Sequence, residues 1–365
     1  MTIHTELTKA LNIRFPIVQG GKWIHCLSFP IETHRFVGMQ WVGTPPLVSA
    51  VALSGALGML TALTQPSPEA LRTAIRETRE RMGKRQGRFG VNITLLPSIN
   101  PPDYAGYAKA AMDEGVDIFE TAGNNPGPLI QLIQTYQSPF SQTAPKRYII
   151  HKCVTIRHAL SGQKMGVDCL SIDGFECAGH PGEDDIGGLV LLARAAKELS
   201  IPFVASGGFA DGRGLAGALA LGAAGINMGT RFMCTVESSI HQTIKEKIVA
   251  STEKDTIHIF RVFKNAVSVE VVRLERRPEG AKFEDLRELV AGARGRKVYE
   301  TGDADAGIWS AGISVGLIDD IPTCEELVQR MGREAEDIIT GLNSHISLEG
   351  GDEVWSKGRE RESKL

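Results

Sequence analysis

Eight short apolar runs recur along this 365-residue chain, each followed by a longer amphipathic or Ala/Leu-rich stretch. The runs cover residues 15–19, 57–62, 89–95, 117–122, 147–153, 168–172, 201–205 and 224–228. Their length and composition suit strands, while stretches such as 68–81, 103–114 and 189–199 carry helical spacing. Strands separated by helices pair in parallel through crossovers, which makes this an α/β chain. Eight such units in about 250 residues match a closed (β/α)8 TIM barrel. An open doubly wound sheet would carry a dinucleotide fingerprint at its first turn, and none stands there.

The pattern changes after the eighth run. Residues 1–251 are read as the barrel, 252–320 as a small C-terminal cap segment, 321–349 as a helix returning to the barrel, and 350–365 as an exposed charged tail. A net charge of -3 gives no reason to expect nucleic acid as a partner, and no apolar run is long enough to span a membrane. Six cysteines are scattered without a Cys-x-x-Cys pair, so neither a disulfide framework nor a metal site is expected. The N-terminus lacks the apolar segment of a signal peptide. The chain ends in Ser363-Lys364-Leu365, the tripeptide read by the peroxisomal import receptor. A peroxisomal location is expected from it, and a cytoplasmic one otherwise.

Active sites in such barrels form where the strands end. Past the seventh run stands Ser206-Gly207-Gly208, and past the eighth Gly229-Thr230. Loops in these two places are the usual phosphate cradle of the fold. A phosphate dianion needs several backbone N–H donors, and glycine lets the backbone come close enough to supply them. The start of the helix after Gly208 is expected to add its positive end. Such a site could hold a phosphorylated substrate or the tail of a cofactor. Lys152 ends the fifth run and should face the mouth, either toward the ligand or in an ion pair with Asp173 or Glu176. His180 lies in a long polar loop after the sixth run, between Gly179 and Pro181-Gly182. An imidazole there could exchange protons near neutral pH, or bond to Glu183 or Asp184 as a structural residue. Gly312-Ile313-Ser314-Val315-Gly316 fits a hydrolase nucleophile pattern, with His345 downstream, but the residues before Ser314 make a poor strand.

Taken together, the stretches Gln19-Gly20-Gly21, Val91-Asn92-Ile93-Thr94, His151-Lys152-Cys153, Asp173-Gly174, Ala178-Gly179-His180, Ser206-Gly207-Gly208 and Asn227-Met228-Gly229-Thr230-Arg231 resemble those of the nitronate monooxygenase family, formerly called 2-nitropropane dioxygenases. The resemblance runs from about Phe15 to Leu327. It implies an FMN-binding barrel with cofactor contacts at Gly20, Gly21, Met39, Thr94, Lys152, Gly174, Ser206, Gly207, Gly208, Gly229 and Thr230. It also implies that His180 is the active-site histidine. Lys152 beside the flavin would stabilise the charge of its reduced form.

One branch of that family oxidises alkyl nitronates with dioxygen, and this is the activity expected. Another resembles NAD(P)H:quinone reductases, with NAD(P)H as the reductant and a quinone as the small-molecule substrate. Residues 22–38 depart from the family pattern, as an insertion between Gly21 and Met39. A remoter alternative is a flavin-free barrel enzyme acting on a phosphorylated substrate, as in nucleotide dehydrogenases with a similar glycine segment. Cys177 is the only candidate nucleophile for that reading.

Overall fold

The computed structural model describes residues 3–20, 42–95, 101–140, 146–179, 185–258, 261–278 and 280–342. Its centre is a closed parallel barrel of β1 (Ile17–Gln19), β2 (Leu57–Thr61), β3 (Arg88–Leu95), β4 (Ile118–Gly123), β5 (Tyr148–Cys153), β6 (Cys169–Asp173), β7 (Phe203–Ser206) and β8 (Ile226–Met228). The strands follow one another in chain order. β8 closes on β1 through the register Ile17↔Ile226, Val18↔Asn227 and Gln19↔Met228. All eight expected runs are strands, with ends displaced by one or two residues.

The helices are α1 (Glu6–Leu11), α2 (Pro45–Leu53), α3 (Pro68–Met82), α4 (Tyr104–Asp113), α5 (Gly127–Thr135), α6 (Ile156–Lys164), α7 (Gly188–Glu198), α8 (Gly212–Ala220), α9 (Thr230–Met233), α10 (Gln242–Val249), α11 (Ala266–Glu275), α12 (Phe283–Leu286), α13 (Gly292–Thr301) and α14 (Cys324–Leu342). Local chemistry sets their ends. Ser67 caps α3 by accepting from the Ala70 N–H, Pro68 occupies the first turn, and Gly83 ends the helix at φ +61°. None of the helices among the described residues is long and apolar enough to cross a membrane.

Two apolar layers fill the barrel. One joins the outward faces of the strands to the helices. The other holds Leu7 and Leu11 of α1 together with Val18, Leu57, Met59, Ile118, Ile150, Cys169 and Val204. Strand side chains alternate faces, so residues two further along from these also turn toward the barrel interior. Glu120 follows Ile118, Lys152 follows Ile150 and Ser171 follows Cys169 by that step. The interior therefore changes from apolar to polar as the strands rise.

Beyond α10 the chain forms a two-stranded antiparallel piece, β9 (Thr256–Ile257) and β10 (Val262–Phe263), followed by α11 to α13. Phe263 stacks on Trp309 at 4.2 Å between ring centroids, and Tyr299 meets Trp309 edge-on at 6.5 Å. The Trp309 indole N–H donates to the Ala304 carbonyl at 3.1 Å, and the Ser310 N–H to the Tyr299 hydroxyl at 3.2 Å. Next, α14 packs on α8. A Cβ on Gly332 would lie 2.2 Å from the Phe15 ring. Arg231, at 1% exposure, donates to the carbonyls of Cys234 and Asp320 and pairs with the Asp320 carboxylate at 3.2 Å, joining the end of β8 to the chain before α14.

Candidate active site at the barrel mouth

The ends of β1, β7 and β8 converge on one cleft. Gly207 and Gly208 both take left-handed backbone, at φ +86° and +87°. A Cβ on Gly207 would stand 2.8 Å from the Cys177 nitrogen and 3.0 Å from the Gly174 carbonyl oxygen. Only glycine satisfies both the dihedral and the space. From β1, the Gly20 N–H donates to the Met228 carbonyl at 3.0 Å, and a Cβ there would lie 2.0 Å from Asn227 Oδ1. The Thr230 hydroxyl accepts from the Gly312 N–H at 3.1 Å.

Of the residues expected to hold a cofactor, Gly20, Lys152, Ser206, Gly207, Gly208, Gly229 and Thr230 line this cleft. Gly174 lies beneath Gly207, its N–H donating to the Ser206 carbonyl at 2.9 Å. Thr94 sits deeper, its hydroxyl donating to Asn92 Oδ1 at 2.9 Å. Gly21, Met39, the segment 22–38, His180 and the terminal Ser363-Lys364-Leu365 lie outside the described residues, as does His345.

At the start of α8 two amides are already taken. The Gly214 N–H donates to Asp211 Oδ1 at 2.8 Å and the Gly212 N–H to Glu334 Oε2 at 2.8 Å. Two carboxylates, Asp211 and Glu334, thus cap that helix end in part.

Of the two carboxylates expected beside Lys152, Asp173 acts on its charge and Glu176 does not, while Glu120 joins it. Its Nζ lies 3.8 Å from Glu120 Oε1, inside the barrel. Glu176 instead accepts the Gly188 N–H at the start of α7, at 2.9 and 3.1 Å. Glu120 is fully buried and accepts from Asn92 Nδ2 at 2.6 Å and Asn227 Nδ2 at 3.0 Å. Burial pushes the Glu120 carboxyl up, against the pull of Lys152 and the two amides. Burial also opposes the Lys152 charge, but Asp173 and Glu120 outweigh it and hold the ammonium above the ordinary lysine range. Asp173 Oδ1 is buried with no hydrogen-bond partner among the described residues. Glu120, Asn92 and Asn227 stand within β4, β3 and β8 and not past their ends, so the residues that follow the strands do not reveal them. The inward step from Ile118 was the signal that could have found Glu120.

Lys152 also lines a second cavity of about 460 Å³ on the β4–β5 side, together with Asn124, Asn125, His151, His158, Ser161, Met165, Asp173 and Ala178. His151 there is buried. Burial lowers its pKa to about 4, and its Nδ1 lies 2.9 Å from the Thr121 hydroxyl.

The loop after β6 is held from two sides. The Phe175 N–H donates to the Ile186 carbonyl at 2.9 Å and closes its base. Gly179, at φ +90°, exchanges two backbone hydrogen bonds with Arg261, at 2.9 and 2.7 Å. The Arg261 guanidinium lies 4.3 Å over the Phe175 ring, and its Nε donates to the Phe175 carbonyl at 3.1 Å. His258 packs on the same ring at 5.2 Å and reaches Asp185 at 3.9 Å. The residues on both sides of 180–184 are thus fixed by the segment around β9 and β10.

Two other expectations are resolved by local geometry. Ser314 lies in a 3-10 turn at Ile313–Leu317, without the strand and helix that a hydrolase nucleophile requires. Cys177 is 2% exposed, and its N–H donates to the Gly174 carbonyl at 3.0 Å.

The nitronate monooxygenase family model matches residues 22–334. The chain belongs to the nitronate monooxygenase family. It is an oxidoreductase of that family. Among its relatives, a Staphylococcus haemolyticus protein named "Probable nitronate monooxygenase" is 29% identical, covering 70% of this chain and 75% of that protein. A Rhodococcus jostii protein is 28% identical, covering 94% of this chain and 99% of its own length. That relative is named as (3aS,4S,5R,7aS)-5-hydroxy-7a-methyl-1-oxo-octahydro-1H-indene-4-carboxyl-CoA dehydrogenase. The solved structure of FabK from Thermotoga maritima superposes with a TM-score of 0.78 at 29% identity, covering 94% of this chain and all of that one.

Proposed function

We propose that this family member is an FMN-dependent oxidoreductase acting on alkyl nitronates, with dioxygen as the electron acceptor. The observation that carries the reading is that Lys152 lines both hollows. The glycine-walled cleft suits a phosphate, and the larger cavity suits a planar ring and a small substrate. The residues present fit FMN on three counts. Gly207 has no space for a Cβ beside its neighbours. Asp173 presents a buried oxygen without a partner. Lys152 presents a cation to both hollows.

Gly207, Gly208, Gly229 and Thr230 would hold the phosphate, while Lys152 and Asp173 would face the ring. Bound FMN supplies the two-electron acceptor that no side chain provides. Lys152 would stabilise negative charge next to it. His180, directly after the anchored Gly179, would take or give the proton at the substrate.

A second reading, oxidation or reduction of a coenzyme A thioester, is favoured by the Rhodococcus jostii relative, which aligns over nearly all of both chains. The test is anaerobic mixing of the purified protein with an alkyl nitronate, an acyl-CoA thioester, NADH or NADPH, followed by flavin absorbance. Bleaching by the nitronate at the fastest rate is the expected outcome. Bleaching by the thioester alone would replace it with the second reading, and rapid bleaching by NAD(P)H alone with the quinone reductase. A colourless protein that FMN cannot reconstitute would overturn the flavin assignment.

A further inference from the structure

We infer that Glu120 is a positioning residue that acts through Lys152: an ionised carboxylate sealed inside the barrel that lowers the midpoint potential of FMN bound at the mouth. This rests on the FMN reading above. The geometry carries it. Both oxygens of Glu120 accept hydrogen bonds, Oε2 from Asn92 Nδ2 and Oε1 from Asn227 Nδ2, and Lys152 Nζ stands 3.8 Å from Oε1. On its other side Asn92 meets the Thr94 hydroxyl, 2.9 Å from Asn92 Oδ1, with its amide nitrogen toward Glu120. Asn227 Nδ2 also donates to the Ser171 hydroxyl at 3.2 Å.

A carboxylic acid would need an acceptor for its proton, and these partners are amide and ammonium donors. A carboxylate needs donors on both oxygens, and has them. The Lys152 side chain is 10% exposed and lines both hollows, so it is the group through which this buried charge reaches a ligand. Two carboxylates, Glu120 and Asp173, act on the one ammonium. Together they leave the mouth less positive than Lys152 with Asp173 alone. An electron-rich ring is stabilised less there, so its potential is lower than it would be without Glu120.

Glu120→Gln keeps the shape and removes the charge, while Glu120→Asp keeps the charge. Spectroelectrochemical titration of the FMN-loaded proteins is the test. The expected result is a rise of about 30 mV or more in Glu120→Gln, a tenfold change in a two-electron equilibrium. Glu120→Asp should return to within about a third of that shift. A Glu120→Gln protein that holds FMN at the wild-type potential overturns the inference and leaves the FMN reading standing. A wild-type protein that takes up no FMN overturns both.

If Glu120→Gln does not fold, the infrared difference between the wild type and Glu120→Asp decides. A protonated-carboxyl C=O band in that difference overturns the inference, and carboxylate bands alone support it.

Discussion

The cleft at the ends of β7 and β8 and the polar cluster inside the barrel are a few residues apart and are built in opposite ways. The cleft is made of backbone. Gly207, Gly208 and Gly20 bring the backbone to places where a Cβ would crowd its neighbours. The cluster is made of side chains, with Glu120, Lys152, Asn92 and Asn227 holding one another by charge and amide bonds. Backbone gives a fixed grip on an anion that depends on sterics and carries no titratable group. Side chains give a local potential that can be tuned by single substitutions, and they bring titratable groups with them. A redox site needs both, a place to hold the cofactor and a charge to set its behaviour.

The largest expected effect comes from breaking the backbone side of this comparison. Gly207→Val would place a β-branched residue at φ +86°, with a Cβ 2.8 Å from the Cys177 nitrogen. FMN affinity should fall about a thousandfold, on the order of 4 kcal/mol, while the circular dichroism of the barrel persists. Unchanged affinity in a flavin-binding titration would show that the phosphate is gripped elsewhere.

Next is the acid limit, which belongs to the side-chain region alone. His151 has a folded pKa of about 4, below its ordinary value of 6.5. Above pH 6.5 it is neutral in both states and contributes nothing. Between 6.5 and 4 the unfolded chain takes a proton that the folded one resists, so stability falls as pH falls. The loss saturates below about pH 4, at roughly 3 kcal/mol. His151→Gln should flatten this dependence in urea denaturation measured across that window. An equally steep curve in the variant would remove His151 as the cause.

The smallest effect concerns the loop that joins the two regions. Arg261→Gln removes the guanidinium from the Phe175 ring. Turnover should drop about tenfold, close to 1.4 kcal/mol, with FMN affinity within about twofold of wild type. A kcat equal to wild type would separate the loop's placement from this contact.

The barrel was legible because each strand is a bounded apolar run and each helix keeps its own spacing, as at Pro68–Met82 with its Ser67 cap. The phosphate cradle was legible because its glycines sit at fixed places after β7 and β8. Glu120 was not, since Phe119-Glu120-Thr121 lies within a run and looks like an interruption of it. Only the two-residue step along β4, read against the closed barrel, turns that carboxylate inward. The capping of Gly212 was hidden for a related reason. Glu334 reaches Gly212 from α14, far along the chain, and no local pattern announces such a partner. Likewise Gly312 and Ser314 line the cleft from a segment that the sequence placed only in a cap.

Gly179 is clasped by Arg261, and Arg261 comes after the last barrel strand in the chain. The cylinder can therefore close on the ribosome before the residues that hold the loop beside His180 have been made. Such a nascent chain holds all eight strands while the anchor of the loop at its mouth is still to be made, along with α14, which covers α8 from outside.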